Sequence, residues 1–125
     1  MNAFREPRDS RDMRDRDDDF VFIIEEIEAF HRPVGQVALY DIDWLAGRAE
    51  VGRLLVGDPE AQGLGLAKLA VSRLTDEALA HWELREIKAE CMTTNLRSIR
   101  VHLAAGFVAA PPSGVVISLF RRREP

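Results

Sequence analysis

A short glycine-containing loop ahead of a helix-forming stretch is the part of this sequence best suited to chemistry. An apolar run over residues 51–56 leads into an acidic turn with a proline, and glycines follow at positions 63 and 65. Glycine lets the backbone approach a ligand closely, while the first turn of a helix offers unpaired N–H groups and the positive end of the helix dipole. The segment therefore predicts a phosphate-binding loop, formed by Gln62, Gly63, Leu64, Gly65, Leu66 and Ala67.

Two common phosphate-binding motifs do not fit the spacing of this loop. A Walker loop ends in Gly-Lys-Ser/Thr, whereas Gly65 begins the stretch Gly-Leu-Ala-Lys, which has no hydroxyl beside its lysine. A dinucleotide fingerprint requires G-x-G-x-x-G or A, and Lys68 occupies the third of those positions, where it would obstruct close packing of helix on strand. The spacing therefore argues against nucleotide hydrolysis and gives only weak support to a dinucleotide site.

The loop fits the spacing Gln/Arg-x-x-Gly-x-Gly/Ala, and so it resembles the acetyl-CoA pyrophosphate loop of the GNAT superfamily of N-acetyltransferases. A second segment strengthens this resemblance. Residues 95–107 have the sequence NLRSIRVHLAAGF, which is similar to that superfamily's Asn-x-x-Ala/Ser-Ile-x-x-Tyr-x-x-x-Gly-Phe segment and follows the loop in the right order. The resemblance covers roughly residues 20–120 and implies an enzyme that uses acetyl-CoA as acyl donor.

The resemblance also implies which residues contact the coenzyme. The loop would hold the pyrophosphate, and the end of the preceding strand, Leu54, Leu55 and Val56, would run beside the pantetheine arm. A main-chain N–H of that strand would face the thioester carbonyl and stabilise the oxyanion. Asn95 stands where the superfamily often uses an Asn to contact the cofactor arm, although an N-cap of the following helix is an equally good role. Both roles can coexist in one residue.

A catalytic base is needed because an amine with a pKa near ~10 is protonated at neutral pH. Glu50 is the candidate. It occupies a strand position that resembles the place where several family members have a glutamate acting directly or through water. The alternative is an ordinary glutamate facing solvent from an alternating strand.

A proton for the departing CoA thiolate is the second requirement, since its pKa is about that of a cysteine, ~8.5. Family members commonly use the Tyr of the second motif, and this chain has His102 in its place. On a helical wheel His102 lies at the margin of an apolar face made by Leu96, Ile99 and Leu103. His102 is therefore the candidate acid, and the alternative is a boundary histidine with no chemical role.

Composition restricts the class of protein and its partners. The 125 residues suffice for one domain, and the net charge of −4 gives no general attraction to nucleic acid or to an anionic membrane. The single cysteine, Cys91, excludes an internal disulfide, and His31 and His81 lack partners at metal-ligand spacing, so no metal is expected. No apolar stretch approaches ~20 residues, so we expect a cytoplasmic protein.

The order of elements predicts a mixed α/β fold. Strands are predicted at residues 21–30, 33–42, 48–56, 85–92 and 114–120. One amphipathic helix is predicted from Leu64 to His81 or Trp82, and a second is capped by Thr94 or Asn95. The resulting β-β-β-α-β-α-β order predicts a mostly antiparallel central sheet with one parallel, right-handed strand-helix-strand unit and helices on its faces, as in the GNAT fold.

The N-terminal segment differs sharply from the rest of the chain. Residues 4–19 contain five arginines and seven acidic residues, so residues 1–19 are predicted to be a charged, disordered arm ahead of a domain at 20–125. An arm that orders against substrate or a partner chain is the alternative. Members of the superfamily usually begin with a strand and one or two helices that line the acceptor site. The resemblance therefore implies a shortened N-terminus, with a homodimer or a partner domain as ways to complete the acceptor site.

The acceptor is only partly indicated by the sequence. The stretch YDIDW at 40–44, followed by RAEVG at 48–52, looks like the subgroup acting on amino sugars of nucleotide-linked precursors, with relatives that modify polyamines or ribosomal-protein N-termini. A polar hairpin with one packed aromatic, Trp44, is the alternative. We expect direct attack by a primary amine of a small molecule, such as an amino sugar, in a ternary complex. The other hypothesis is a weak or inactive acyl-CoA-binding domain, or part of a larger acetyltransferase.

Overall fold

A single seven-stranded sheet organises the protein in the computed structural model, which describes residues 2–4 and 19–124. The strand order is β1-β2-β3-β4-β5-β7-β6. The strands are β1 (Asn2–Phe4), β2 (Phe20–Glu26), β3 (Arg32–Asp43), β4 (Arg48–Val56), β5 (Glu86–Met92), β6 (Val108–Ala109) and β7 (Val116–Arg122). The described part of the chain also has a 3-10 helix (Pro59–Ala61) and two α-helices, α1 (Leu66–His81) and α2 (Leu96–Ala104).

Strand directions agree with the predicted fold class. Neighbouring strands are antiparallel except for β4 and β5, which are parallel and are joined through α1. The mixed α/β prediction with a central strand-helix-strand unit is confirmed. The short strands β1 and β6 were not predicted from the sequence.

One face of the sheet and the two helices enclose the hydrophobic core. The helix α1 contributes Ala70, Val71, Leu74 and Ala78, which pack with Val51 and Ile87 and other inward-facing strand residues. The helix α2 lies over the same face, because Ser98 Oγ is 3.2 Å from the sulfur of the buried Cys91 on β5. Both helices of the described residues therefore cover one side of the sheet.

The side of α2 that faces the core is not the side that its apolar pattern predicted. Leu96 and Leu103 are 55% and 47% exposed, whereas His102 is only 3% exposed. The predicted apolar face of Leu96, Ile99 and Leu103 is therefore wrong for two of its three members. The contact of Ser98 with Cys91 sets the rotation of this short helix, and His102 lies on the same side one turn later.

The strand β2 ends earlier than predicted because of a carboxylate. Glu26 is buried and accepts the backbone N–H groups of Glu28, Ala29 and Phe30 at 3.1, 2.9 and 2.6 Å. These bonds, led by that from Phe30, lower the pKa of Glu26 to about 2. They fold the chain into a turn before β3, so the strand expected over residues 21–30 stops at Glu26.

The N-terminal arm is described only in part. Residues 2–4 lie in the segment predicted to be disordered, yet they form β1 and pair with β2 from Asn2 opposite Glu26 to Phe4 opposite Ile24. An open sheet edge offers backbone groups that an extended segment can pair with whatever its side chains are, and composition therefore misses such a strand. Residues 5–18, which hold most of the charged arm, lie outside the described residues.

Candidate functional site

The strands β4 and β5 diverge halfway along the sheet, and this divergence creates the site. They pair only from Arg48 opposite Glu86 to Glu50 opposite Lys88. Beyond Glu50, β4 continues along β3 to Val56, and β5 continues along β7 to Met92. A bulge marks the diverging part of β4: the register with β3 shifts there, and Arg53 adopts a φ of +51°. The facing edges of β4 and β5 thus lack a strand partner beyond that point.

A cavity of about 600 Å³ occupies this gap. Its walls are the C-terminal half of β4, the glycine loop, the first turn of α1 and the inner side of α2. Most of the predicted cofactor residues line it: Leu54, Leu55, Val56, Gln62, Gly63, Gly65, Leu66, Ala67 and Asn95. Leu64 is not among the lining residues, and its side chain is largely exposed. Tertiary structure thus brings together two sequence motifs that were predicted to share one ligand.

The glycine loop has the backbone conformation that an anion site requires. Gly63 and Gly65 have φ values of +81° and +77°, in the left-handed region that other residues rarely adopt. Gly65 is the N-cap of α1, and no side chain caps the first turn of that helix. The turn contains no acidic residue, and Lys68 lies within it. Its N–H groups are therefore available to a negatively charged ligand.

Three cationic residues line the cavity and were not predicted as site residues: Arg53, Lys68 and Arg97. Lys68 and Arg97 both line it, from the first turn of α1 and the first turn of α2. Lys68 directly follows the glycine loop and Arg97 lies inside the second motif, and this proximity could have singled them out. Asn95 caps α2 by accepting the Ser98 N–H at 3.2 Å, so its N-cap role is confirmed, while its contact with the cofactor arm stays a prediction.

Glu50 lies beside the cavity on the sheet face opposite the helices. It pairs with Tyr40 on β3 and with Lys88 on β5, and residues directly opposite one another share a face. Burial raises the pKa of Glu50; a hydrogen bond with Asp41 and the charge of Glu90 raise it further, while Lys88 opposes them.

Glu90 lies on the same face of the sheet as Glu50 and also lines the cavity. It follows Lys88 by two positions, bonds to the Lys88 ammonium at 3.3 Å and lines the cavity. Glu50 does not line it. The cavity therefore reaches the face that carries Glu50, and Glu90 is a site residue that the sequence analysis did not identify. Alternation along β5 could have placed it there only once the pairing with β4 was known.

His102 lines the cavity, with the ring held by the helix backbone. Its Nδ1 lies 2.8 Å from the carbonyl oxygen of Ser98, and because a carbonyl only accepts, Nδ1 carries the proton of the neutral ring. The ring packs edge-on against Phe107, and Nε2 has no hydrogen-bond partner. Burial lowers the pKa of His102. At neutral pH the ring thus has no proton to give from Nε2.

The predicted substrate segment forms a hairpin at the other end of β4. Trp44 packs against Trp82 with ring centroids 6.2 Å apart, and the Asp43 carboxylate accepts the Ala46 N–H at 3.0 Å. These contacts support the hairpin interpretation of Trp44 and Asp43. Asp41 differs from them, since its φ of +51° accompanies a register shift in β3 and its carboxyl group helps to raise the pKa of Glu50.

Neither a metal site nor a membrane span is found in the part of the chain that the structure describes. Its His, Cys, Asp and Glu side chains form no group of three that could hold a metal ion. Neither of its helices is long and apolar enough to cross a membrane. The cytoplasmic location stays a prediction.

The assignment to a family comes from comparison with known proteins. The model of the GNAT acetyltransferase domain matches residues 3–108. This chain belongs to the GNAT acetyltransferase family. As a GNAT enzyme it is an N-acetyltransferase and takes acetyl-CoA as its acyl donor, in agreement with the prediction from its two motifs. The match begins at residue 3, and it gives no support to the predicted shortening of the N-terminus. No curated protein matches the chain in sequence.

Solved structures share the fold of this GNAT enzyme at low identity. The spermidine N-acetyltransferase of Vibrio cholerae in complex with CoA and spermine is 22% identical with a TM-score of 0.72, over 85% of this chain and 66% of that chain. PseH, an N-acetyltransferase of Campylobacter jejuni solved with acetyl coenzyme A, is 12% identical with a TM-score of 0.73, over 90% of this chain and 73% of that chain. A dodecameric structure of the Vibrio enzyme is 20% identical with a TM-score of 0.73, over 89% of this chain and 68% of that chain. This GNAT chain thus spans about two thirds of the length of the spermidine enzyme.

Proposed function

We propose that this enzyme acetylates the primary amine of a small molecule by direct attack on acetyl-CoA in a ternary complex. The divergence of β4 and β5 is the observation that carries the proposal. It leaves a cavity that has the glycine loop on the helix side of the sheet and extends to the carboxyl group of Glu90 on the other side. A donor and an acceptor can therefore approach the same gap from opposite faces.

The donor half of the reaction is assigned to backbone groups. The pyrophosphate binds the N–H groups of the glycine loop and the first turn of α1, and Lys68 and Arg97 add positive charge at the cavity wall. The pantetheine arm runs along Leu54, Leu55 and Val56, in place of the missing strand partner. A main-chain N–H of this segment stabilises the oxyanion that forms when the amine attacks the thioester.

The acceptor half is assigned to the carboxyl groups of Glu50, Asp41 and Glu90. A protonated amine is attracted to this group, and it must lose a proton before it can attack. Glu50 takes that proton, directly or through water. Its raised pKa suits this role, because a base is most effective when its pKa lies closer to the working pH. The acids favour an acceptor with positive charge, which amino sugars and polyamines both provide.

Proton supply to the thiolate is left to solvent in this proposal. His102 was the proton donor predicted from the sequence. Its only proton at neutral pH is engaged with Ser98, and burial lowers its pKa, so a doubly protonated ring is disfavoured. A thiolate whose pKa is ~8.5 leaves without full protonation at slightly alkaline pH. We therefore assign His102 to the wall of the cavity.

The test combines coenzyme binding with turnover. Acetyl-CoA should raise the melting temperature, and CoA release should follow the addition of an amino sugar, spermidine or a peptide with a free N-terminus. Glu50→Gln should lower kcat about 100-fold, the scale of general base catalysis, and leave the stabilisation by acetyl-CoA unchanged. Glu77→Gln, an exposed glutamate of α1, is the matched control. In the wild type, kcat should fall as acid protonates Glu50, at a pH above the usual value for a glutamate.

The same measurements distinguish the alternatives. Stabilisation by acetyl-CoA without thiol release for any amine would favour a coenzyme-binding domain or part of a larger enzyme. Absence of stabilisation would overturn the assigned donor site. Full activity of Glu50→Gln would remove Glu50 as the base while leaving the donor site intact.

A further inference from the structure

Arg32, at the start of β3, holds the turn that precedes the glycine loop. Its Nε donates to Asp58 Oδ2 at 2.7 Å, and its Nη2 donates to Glu60 Oε1 at 2.6 Å. One guanidinium therefore binds both carboxylates of the turn. Asp58 also accepts the backbone N–H of Glu60 through Oδ1 at 3.0 Å and so caps the 3-10 helix (Pro59–Ala61). The loop begins at the next residue.

Arg32 directly follows the turn between β2 and β3, which is stabilised by Glu26. The carboxylate of Glu26 binds three successive backbone N–H groups, the last of them that of Phe30. The guanidinium of Arg32 lies over the Phe30 ring, 5.0 Å from its centroid. The cation–π contact and the two ion pairs fix the direction of the guanidinium. The turn between β2 and β3 is thereby connected to the loop between β4 and α1.

The far end of the same turn is anchored in the core and on β4. Ala61 is buried, and the side-chain amide of Gln62 donates to the carbonyl oxygen of Val56 at 3.0 Å. Ala61 and Gln62 also line the cavity. The loop therefore starts from a turn held on one side by Arg32 and on the other by β4 and the core.

Charge gives Arg32 a second effect on the loop. Asp58 and Glu60 are carboxylates immediately before a site whose proposed ligand is an anion. Unpaired charges within about 8 Å of a phosphate would repel it at physiological salt, because that is the screening length. The Arg32 guanidinium lowers the pKa of Asp58 and, by direct contact with both carboxylates, offsets one of their two negative charges.

We propose that Arg32 is a positioning residue for the coenzyme: acting through Asp58 and Glu60, it shapes the glycine loop for the pyrophosphate and reduces the negative charge beside it. The inference rests on the proposed function, since the loop must be the pyrophosphate site. The ion pairs are partly exposed, and exposed pairs contribute little to global stability. The effect of Arg32 should therefore fall on coenzyme binding.

The experiment compares CoA with pantetheine, which lacks the pyrophosphate and the nucleotide. Titration calorimetry should show that Arg32→Ala raises the Kd for CoA about tenfold and changes the Kd for pantetheine by less than about twofold. The matched control is Arg122→Ala, which removes a similar ion pair with Glu86, 2.7 Å long, between β7 and β5. It should leave both Kd values unchanged.

The outcomes separate this inference from the proposed function. A wild-type protein that binds CoA no more tightly than pantetheine would overturn the pyrophosphate site and the inference with it. A wild-type preference for CoA that Arg32→Ala leaves intact would overturn the inference alone. Equal weakening of both ligands would also overturn it, because Arg32 would then support only the fold.

Arg32→Lys provides a variant that keeps the positive charge and loses the guanidinium. A lysine cannot hold two carboxylates with the fixed fork of a guanidinium. We expect an intermediate Kd for CoA, about threefold above that of the wild type, with pantetheine unaffected. A Kd as high as that of Arg32→Ala would show that the geometry of the guanidinium accounts for the whole effect. A Kd equal to that of the wild type would contradict the shaping role, because positive charge alone would then explain the effect of Arg32.

Discussion

His102 shows how the surroundings of a single side chain decide its chemistry. A histidine in place of the usual tyrosine predicts a proton donor, because both side chains can carry a transferable proton. Here the neutral ring donates a hydrogen bond from its one N–H group to the Ser98 carbonyl, and burial lowers the pKa of His102. Its Nε2 is left without a partner. Protonation of this buried ring therefore destabilises the folded protein.

This arrangement predicts a loss of stability at acid pH that His102→Phe should reduce. An unfolded histidine gains a proton as pH falls through 6.5, whereas the folded ring resists it, so the folded wild type loses stability below that pH. The loss should reach at most about 1.4 kcal/mol at about pH 5.5. Chemical denaturation of both proteins across this range measures it.

His102→Gln, which cannot gain a proton, should show the same weaker pH dependence. Turnover of His102→Phe at neutral pH should stay within about threefold of the wild type, since removal of a true general acid costs about 100-fold or more. A loss of that size would restore the acid role to His102.

At the scale of elements, the loop and the first turn of α1 act as one unit. Gly65 is the N-cap of α1 with a φ of +77°, and a Cβ atom added there would meet no atom within 4 Å. The need for glycine is therefore conformational. Gly65→Ala should cost about 1–2 kcal/mol through left-handed backbone strain, and it should raise the Kd for CoA because the loop relaxes away from this conformation. Denaturation and calorimetry measure the two effects.

Gly57 supplies the matched control within the same connection. A Cβ there would make only an ordinary contact with the Leu55 side chain at 3.7 Å, and its φ lies outside the left-handed region. Gly57→Ala should change the free energy of unfolding by no more than about 0.5 kcal/mol. Equal effects of the two substitutions would contradict the conformational role of Gly65.

At the scale of the whole molecule, the sheet is two parts joined by a short parallel ladder. Only Arg48 to Glu50 of β4 pair with β5, and the coenzyme is proposed to occupy the gap that follows. Binding should therefore protect backbone amides on the two sides of the gap. With CoA at 100 times its Kd, hydrogen exchange of residues 54–56 and 62–68 should slow by up to about 100-fold. Exchange in β2, remote from the gap, should change much less.

Uniform protection of all strands would instead indicate general stabilisation of the fold. Unchanged exchange over residues 62–68 would argue against the loop as part of the coenzyme site. The predicted homodimer and the predicted partner domain concern the same scale, and they stay predictions.

Sequence alone determined the local features of this protein. The bounds of β4 were predicted correctly, and α1 was placed within two residues of its start, because alternation, helical periodicity and glycines are local signals. The two motifs identified the family and its coenzyme for the same reason: backbone contacts with phosphate depend on a short run of residues.

Tertiary structure decided everything that depends on which segments meet. The exposed side of α2 followed from the contact of Ser98 with Cys91, and the early end of β2 followed from the buried carboxylate of Glu26. The position of Glu90 at the cavity and the ion pairs of Arg32 with the turn before the loop became visible only when distant strands were placed together. Periodicity identifies the apolar positions of an element, but the partner that packs against it selects the buried ones, and that partner lies elsewhere in the chain.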